Sequence, residues 1–335
     1  MTRRLLAALF LSLAVGCDAG DPAPAPSPPA APDTAAAASP VRDTVLEATL
    51  RELAAGVDGR VGVAVLHVQG DVYAAVNGDT TFALASVAKL PVAYAALQDG
   101  RLSPSDSLQV TADDLAPGPT SFVPGAAATV ADLVERSLAH SDNTASDVLL
   151  RAAGGPAEVT RRVRDLGAGD LRVDRSMRRI FADRGAQGEA VFLEDPRDTG
   201  SAEAVAALLA AVLRGESLEP EAQRLMLDAL ASTVTGPDRT RAGVPAGTAV
   251  AHKTGTLGLL THDVGIITLP GGAEVVLAVL LQSEAPIAQR ERVIAGAARA
   301  VWEHFSHTPA SSTTVPPSSA TPARPAPGVI PEPAT

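Results

Sequence analysis

The segments with strand character lie near the two ends of this chain's body, and the segments with helical character lie between them. Early on, Val61-Gly-Val-Ala-Val-Leu-His-Val68 is apolar and β-branched, Gln69-Gly70-Asp71 reads as a turn, and residues 72–76 follow, which predicts a hairpin. Late in the chain, residues 249–253, 263–269 and 274–281 read as strands, the last two joined through Pro270-Gly271-Gly272. Residues 129–138, 142–152, 156–166, 201–213 and 219–230 carry helical periodicity. Strands so far apart can share a sheet only if the two ends of the body come together. Amphipathic helices at 42–57 (Leu46, Leu50, Leu53, Val57) and 285–305 (Ile287, Ile294, Val301, Phe305) are placed to cover that sheet. The expected fold class is therefore α/β (α+β): an antiparallel sheet of N- and C-terminal strands flanked by helices, plus an all-helical lobe. A cleft between the two is where a site is expected.

The 335 residues, 46% apolar, suffice for one large core or two fused subdomains. Arg3 and Arg4 precede an apolar run, residues 5–15, broken only by Ser12 and followed by Gly16-Cys17. That order is the order of an export signal, and the run is too short to span a bilayer as a mature helix. Leu13-Ala14-Val15-Gly16-Cys17 resembles a bacterial lipoprotein signal, with Ala14 where a larger aliphatic is usual. The resemblance implies removal of residues 1–16, lipidation of Cys17 and an exported, periplasmic or outer-surface protein. Cys17 is the only cysteine, which excludes an intrachain disulfide or a cysteine-held zinc framework. Residues 17–41 and 307–335 are rich in Pro, Ala, Ser and Thr and are expected to be a disordered tether and tail around a folded body at 42–306. A net charge of −11 with scattered arginine offers no nucleic-acid footprint and no polybasic membrane patch, so Cys17 is the one expected link to a membrane. The six histidines have no zinc-site spacing; no metal or cofactor is expected, and a monomer is the default.

Of the 27 basic residues only Lys89 and Lys253 are lysine. Arginine keeps its proton in a protein, whereas a buried lysine can lose one near neutral pH. Each lysine stands in a short motif. Ser86-Val-Ala-Lys89 puts a hydroxyl and an amine on one helical face, the arrangement by which a base one turn away activates a serine. Lys253-Thr254-Gly255-Thr256 closes a predicted strand, and Ser141-Asp142-Asn143 lies between two predicted helices. Alone, each has an ordinary explanation, as a chance pair, an edge-strand lysine or a helix cap.

Together and in this order, the three motifs are those of class A β-lactamases and penicillin-binding proteins. Further runs resemble class A β-lactamases: Thr129-Val-Ala-Asp-Leu, Gly154-Gly-Pro156, Val173-Asp-Arg175, Arg197-Asp-Thr199 and Arg239-Thr-Arg-Ala-Gly-Val-Pro245. The resemblance covers nearly all of residues 42–305. It implies Ser86 as the acylated nucleophile, Lys89 as its proton partner, and Ser141 with Lys253 as the route to the leaving nitrogen. It further implies Asn143 for the substrate's amide, and Thr254, Lys253 and Arg239 for its carboxylate. The amides of Ser86 and Thr256 would form an oxyanion hole, and an Arg175–Asp198 ion pair would pin the Ω loop. The substrate would be a β-lactam or a cell-wall peptide.

One position departs from the family. Met177 stands two residues after Arg175, where class A enzymes carry the glutamate that activates water for deacylation, and the loop is longer than usual. Glu189 or Glu194, both inside that loop, could replace it, with Asp183 a weaker candidate. Otherwise deacylation is slow, or the natural acyl substrate is a peptide or ester. The readings left open are a hydrolase with impaired or rerouted deacylation, a penicillin-binding D,D-peptidase or esterase, and a non-hydrolytic binder. The family's aromatic wall has only Phe122 to supply it, in a proline-rich stretch.

Overall fold

In the computed structural model the described residues are 41–69 and 72–307. The expectations for residues 1–16, for Cys17 and for most of the tether and tail lie outside them, as does the tip of the first hairpin at 70–71. Along the chain, β1 (Val41–Arg42), α1 (Thr44–Ala54), β2 (Arg60–His67), β3 (Val72–Val76) and β4 (Thr81–Ala83) lead to a 3₁₀ turn at Ala85–Ala88, which runs into α2 (Lys89–Leu97). Next come β5 (Ser107–Gln109), β6 (Ala127–Thr129), α3 (Val130–Ala139), α4 (Asn143–Ala152), α5 (Pro156–Asp165), α6 (Met177–Gln187) and α7 (Glu189–Glu194). Then β7 (Thr199–Ser201), α8 (Ala202–Arg214), α9 (Pro220–Ala231) and α10 (Thr240–Gly243) return the chain to β8 (Val250–Leu257), β9 (Leu260–Thr268), β10 (Glu274–Gln282) and α11 (Ile287–His307). Val41 and His307, assigned to tether and tail from the sequence, are the first residue of β1 and the last of α11.

The main sheet has the order β1-β3-β2-β10-β9-β8, antiparallel except for β1 beside β3. The early hairpin meets the late strands at β2–β10, where Val63 lies opposite Val279 and Val65 opposite Leu277. Successive side chains on a strand point to opposite faces, and both faces here are buried. Val275, Leu277, Val279 and Leu281 pack with Val61 and Val63 against Leu46 and Leu50 of α1 and Ile294 and Val301 of α11. Val276, Ala278 and Leu280 turn the other way, into a core with Ala64, α2 and α8. Every residue of α2 is buried, as expected of a helix that is apolar almost all round. The lysine that opens this helix is therefore held in the centre of the protein. Among the described residues no helix is long and apolar enough to cross a membrane.

Two local expectations change. Strand β8 does not stop at Lys253 but runs on to Leu257, so the Lys-Thr-Gly-Thr motif lies inside the strand and the turn falls at Gly258 and Leu259. Gly255 sits within the strand because a Cβ there would lie 3.0 Å from the His262 ring and 3.1 Å from the Leu84 carbonyl oxygen. The expected Ω loop is also largely helical, built from α6, capped by the Ser176 hydroxyl accepting from the Arg179 amide, and α7.

Candidate active site

Ser86 stands in the 3₁₀ turn between β4 and α2. The residue before it, Ala85, has φ of +48°, and Ser141 and Asp198 have φ of +59° and +54°. Left-handed backbone at a non-glycine residue costs about 1–2 kcal/mol and persists where surrounding structure fixes it. Here β4 pairs with β7, and the Leu84 amide donates to the Asp198 carbonyl. Ser86 remains half-buried. Its Oγ accepts from Lys89 Nζ at 2.8 Å.

Lys89 Nζ also donates to Asn143 Oδ1 at 2.7 Å and to Ser141 Oγ at 3.4 Å, and it touches Met177 Sδ at 3.7 Å. All four neighbours are neutral, and Lys89 is wholly buried. Burial lowers its pKa to about 7, and the negative charges of Asp147 and Asp142 hold it from falling further. At neutral pH a large share of Lys89 is therefore a free amine within hydrogen-bond reach of the Ser86 hydroxyl. Asn143 is fixed from the other side by its Nδ2, which donates to the Pro117 carbonyl at 2.5 Å.

Ser141 Oγ bridges to the second lysine, whose Nζ donates to it at 3.1 Å and to the Thr254 carbonyl at 2.9 Å. Burial pushes the Lys253 ammonium well below the ordinary lysine range; the nearby Lys89 charge adds to that, and Asp263 opposes it. Two amines share one hydroxyl here. Proton transfer between them through Ser141 needs no large movement.

Thr254 Oγ1 and Thr235 Oγ1 are 2.6 Å apart. Arg239 is buried behind β8: Nη2 donates to Thr256 Oγ1 at 2.8 Å, Nη1 to the His262 carbonyl at 2.9 Å, and Nε to Glu291 at 3.2 Å. The structure thus gives Arg239 an indirect place beside the expected carboxylate site, through the Thr256 hydroxyl. His252, beside Lys253, is held in a buried pair with Asp263 at 2.8 Å, and His140 is exposed at the end of α3. Among the described residues no group of three or more His, Cys, Asp or Glu could hold a metal ion.

The expected Ω segment closes at its root on an ion pair. Arg175 Nε donates to Asp198 Oδ2 at 2.6 Å, and Asp198 Oδ1 accepts from the amides of Asp174 and Arg175. Met177 begins α6 and is buried against Lys89. None of the three acids that could replace it is within hydrogen-bond distance of Ser86, Lys89 or Ser141 among the described contacts. Asp183 is bound up with Arg175, Arg179 and Arg197. Glu194 is exposed at the end of α7. Glu189 accepts from the Leu259 amide at 3.1 Å and from Arg184, tying the loop to the β8–β9 turn.

That tie requires a glycine opposite it. A Cβ on Gly258, whose φ is +56°, would lie 1.7 Å from Glu189 Oε1. Gly258→Ala is expected to break the tie and lower stability by about 2–5 kcal/mol in chemical denaturation, the sum of overpacking and left-handed backbone strain. In a Glu189→Ala background the same change should cost only the left-handed backbone term, about 1–2 kcal/mol. Equal costs in the two backgrounds would show that the contact is not formed.

Two features escape a reading of the sequence. Gly118, with φ of +121°, lies against the Asn143 amide with no side chain, while Phe122 packs against the edge of the core, so neither builds an aromatic wall. Asp147, one helical turn after Asn143, is buried and accepts from the amides of Met177 at 2.7 Å and Arg178 at 2.9 Å. Its i+4 spacing from Asn143 is the one local signal that points to it.

A sequence model of the beta-lactamase enzyme family matches residues 45–305. Beta-lactamase VEB-1 of Pseudomonas aeruginosa is 26% identical over 265 residues, covering 74% of this chain and 86% of the relative. A beta-lactamase of Streptomyces albus G is 33% identical over 260 residues, covering 73% and 79%. Among solved structures, an ancestral (GNCA) class A beta-lactamase superposes with a TM-score of 0.67 at 36% identity, over 78% of this chain and all of the other. PBP-A, at 23% identity and a TM-score of 0.70 over 79% of this chain and 98% of the other, shares the fold.

Proposed function

The chain belongs to the beta-lactamase enzyme family, in its class A serine branch, and on that premise we propose that it opens β-lactams by acylating Ser86 and releases the product slowly. In the acylation step the free amine of Lys89 takes the Ser86 hydroxyl proton as Oγ bonds to the lactam carbonyl carbon. The carbonyl electron pair moves to oxygen, toward the amides of Ser86 and Thr256, and returns as the C–N bond breaks. Ser141 gives its proton to the leaving nitrogen and recovers one from Lys89 or Lys253, both of which contact its Oγ. Asn143, Thr254 and Thr256 line the substrate, with Arg239 acting through Thr256.

The observation that carries the slow release is Met177. Hydrolysis of the ester on Ser86 needs a base to deprotonate water, and a thioether cannot do this. Met177, at the sequence position where the resemblance implies a glutamate, has its Sδ 3.7 Å from Lys89 Nζ, and Glu189, Glu194 and Asp183 are occupied or exposed elsewhere. The same observation favours, as a second reading, a penicillin-binding peptidase whose natural substrate is a cell-wall peptide.

Intact-protein mass spectrometry after mixing with benzylpenicillin tests the proposal. A ring-opened penicillin adduct that persists and is absent from Ser86→Ala is expected. Rapid turnover with no accumulating adduct would overturn the slow step, and no adduct with any penicillin would overturn acylation itself.

A further inference from the structure

Lys89 and Asp147 are two buried, oppositely charged groups, neither with an ion-pair partner. Among the described residues no carboxylate lies within 4.0 Å of Lys89 Nζ, and no cation within 4.0 Å of Asp147. Charge buried without compensation costs several kcal/mol, so a wholly buried lysine needs a balancing charge one layer out. Asp147 is linked to Lys89 by two routes. Its Oδ1 accepts from the amide of Met177, the residue whose sulfur touches Nζ. It also lies one turn along α4 from Asn143, whose Oδ1 accepts from Nζ.

We propose that Asp147 supplies the negative charge that balances the Lys89 ammonium, so that the site's carboxylate stands on helix α4 while the Ω segment presents a neutral methionine. Asp147 is then a positioning residue with two tasks. It holds the start of α6 by accepting from two backbone amides, and it sets how readily Lys89 gives up its proton. The other charges facing Lys89 are Asp142 on the same helix and Lys253 on β8. Asp142 Oδ1 is used as the cap of α4, accepting from the Ala145 amide at 3.1 Å. The inference rests on the assignment of Lys89 as the proton acceptor for Ser86, but its test requires no substrate.

Because the chain contains only two lysines, selective ¹³Cε-lysine labelling of the full chain gives two resonances to titrate, assigned by the loss of one in Lys253→Arg. In Asp147→Asn and Asp147→Ser the Lys89 midpoint, near 7 in the parent protein, should move down by about one unit or more. Asp147→Glu, which keeps the charge, should restore it. The reciprocal measurement uses a variant that leaves Asp147 in place. In Lys89→Met, the buried aspartate ¹³Cγ signal that titrates near 6 should move up, since the lysine charge holds it down. An unmoved Lys89 midpoint in the neutral variants, or an unmoved aspartate midpoint in Lys89→Met, would reduce Asp147 to an anchor for α6. Failure of acylation, by contrast, would appear only in the mass-spectrometric experiment and would leave these titrations unchanged.

Discussion

A Met177→Glu variant is expected to shorten the life of the Ser86 acyl-enzyme by about 10²–10⁴-fold, the usual contribution of a positioned general base. The side chain needs no new space. Met177 is buried at the first turn of α6 with its sulfur 3.7 Å from Lys89 Nζ, and a glutamate of similar length places its carboxylate in the same volume. The new charge has a second effect of opposite sign on the first half of the reaction. A carboxylate beside Lys89 favours the ammonium, so its pKa rises above about 7 and less free amine is present at neutral pH. Acylation should therefore become slower at pH 7 and recover as the pH is raised, while deacylation becomes faster. Single-turnover mass spectrometry separates the two rate constants. An adduct on Met177→Glu as long-lived as the parent's would show that the missing base is not what limits release.

Lys89→Met should lower the acylation rate by about 10²–10⁴-fold while stabilising the fold. The stabilisation follows from linkage. The folded-state pKa of Lys89 is about 7 against an ordinary 10.5, so the native state binds fewer protons than the unfolded chain between those values. The burial penalty is present in full below pH 7 and fades as the pH rises toward 10.5. At about 1.4 kcal/mol per unit the penalty is on the order of 4–5 kcal/mol near neutrality. Leaving Asn143 Oδ1 without its donor returns about 1–3 kcal/mol of that gain. Urea denaturation should show the variant ahead of the parent at pH 6–7 and the gap closing by pH 10. A gap that does not shrink with pH would mean that packing, and not the proton on Lys89, sets the difference.

The parts of this fold that are legible in the sequence are those governed by local pattern. Val275 to Leu281 can be read as a buried strand because it is apolar on both faces, and the opposing faces of β10 do serve two cores. Ser86, Lys89, Ser141 and Lys253 can be paired because their chemistry is rare and their order fixed; the structure brings all four into one hydrogen-bonded chain. What cannot be read depends on contacts between distant segments. The strand carrying Lys253 continues through Gly255 because β9 and the Leu84 loop crowd it, which no window of sequence contains. Glu189 looks free in the sequence, but its carboxylate is taken by the Leu259 amide, 70 residues away. Asp147 does not stand out in the sequence because a helix-interior aspartate usually faces solvent, and only the placement of Met177 and Arg178 above it makes it part of the site.

The segment that begins at Arg175 and ends at Asp198 starts and stops at the same side-chain contact. To the rest of the protein it is a ring of chain closed at its root and pinned at two further points, by Glu189 to the Leu259 amide and by the Met177 and Arg178 amides to Asp147. Doubling such a ring costs only about 0.6 kcal/mol in closure entropy, so about two extra helical turns can be accommodated without disturbing β4, β7 or the strained turn at Ala85. On the proposed mechanism, Ser86, Lys89, Ser141 and Lys253 lie outside this segment, while the position that governs release, Met177, lies inside it and touches Lys89. Exchanging the segment, by recombination or by design, would therefore reset release and, through the contact with Lys89, the pH at which acylation runs.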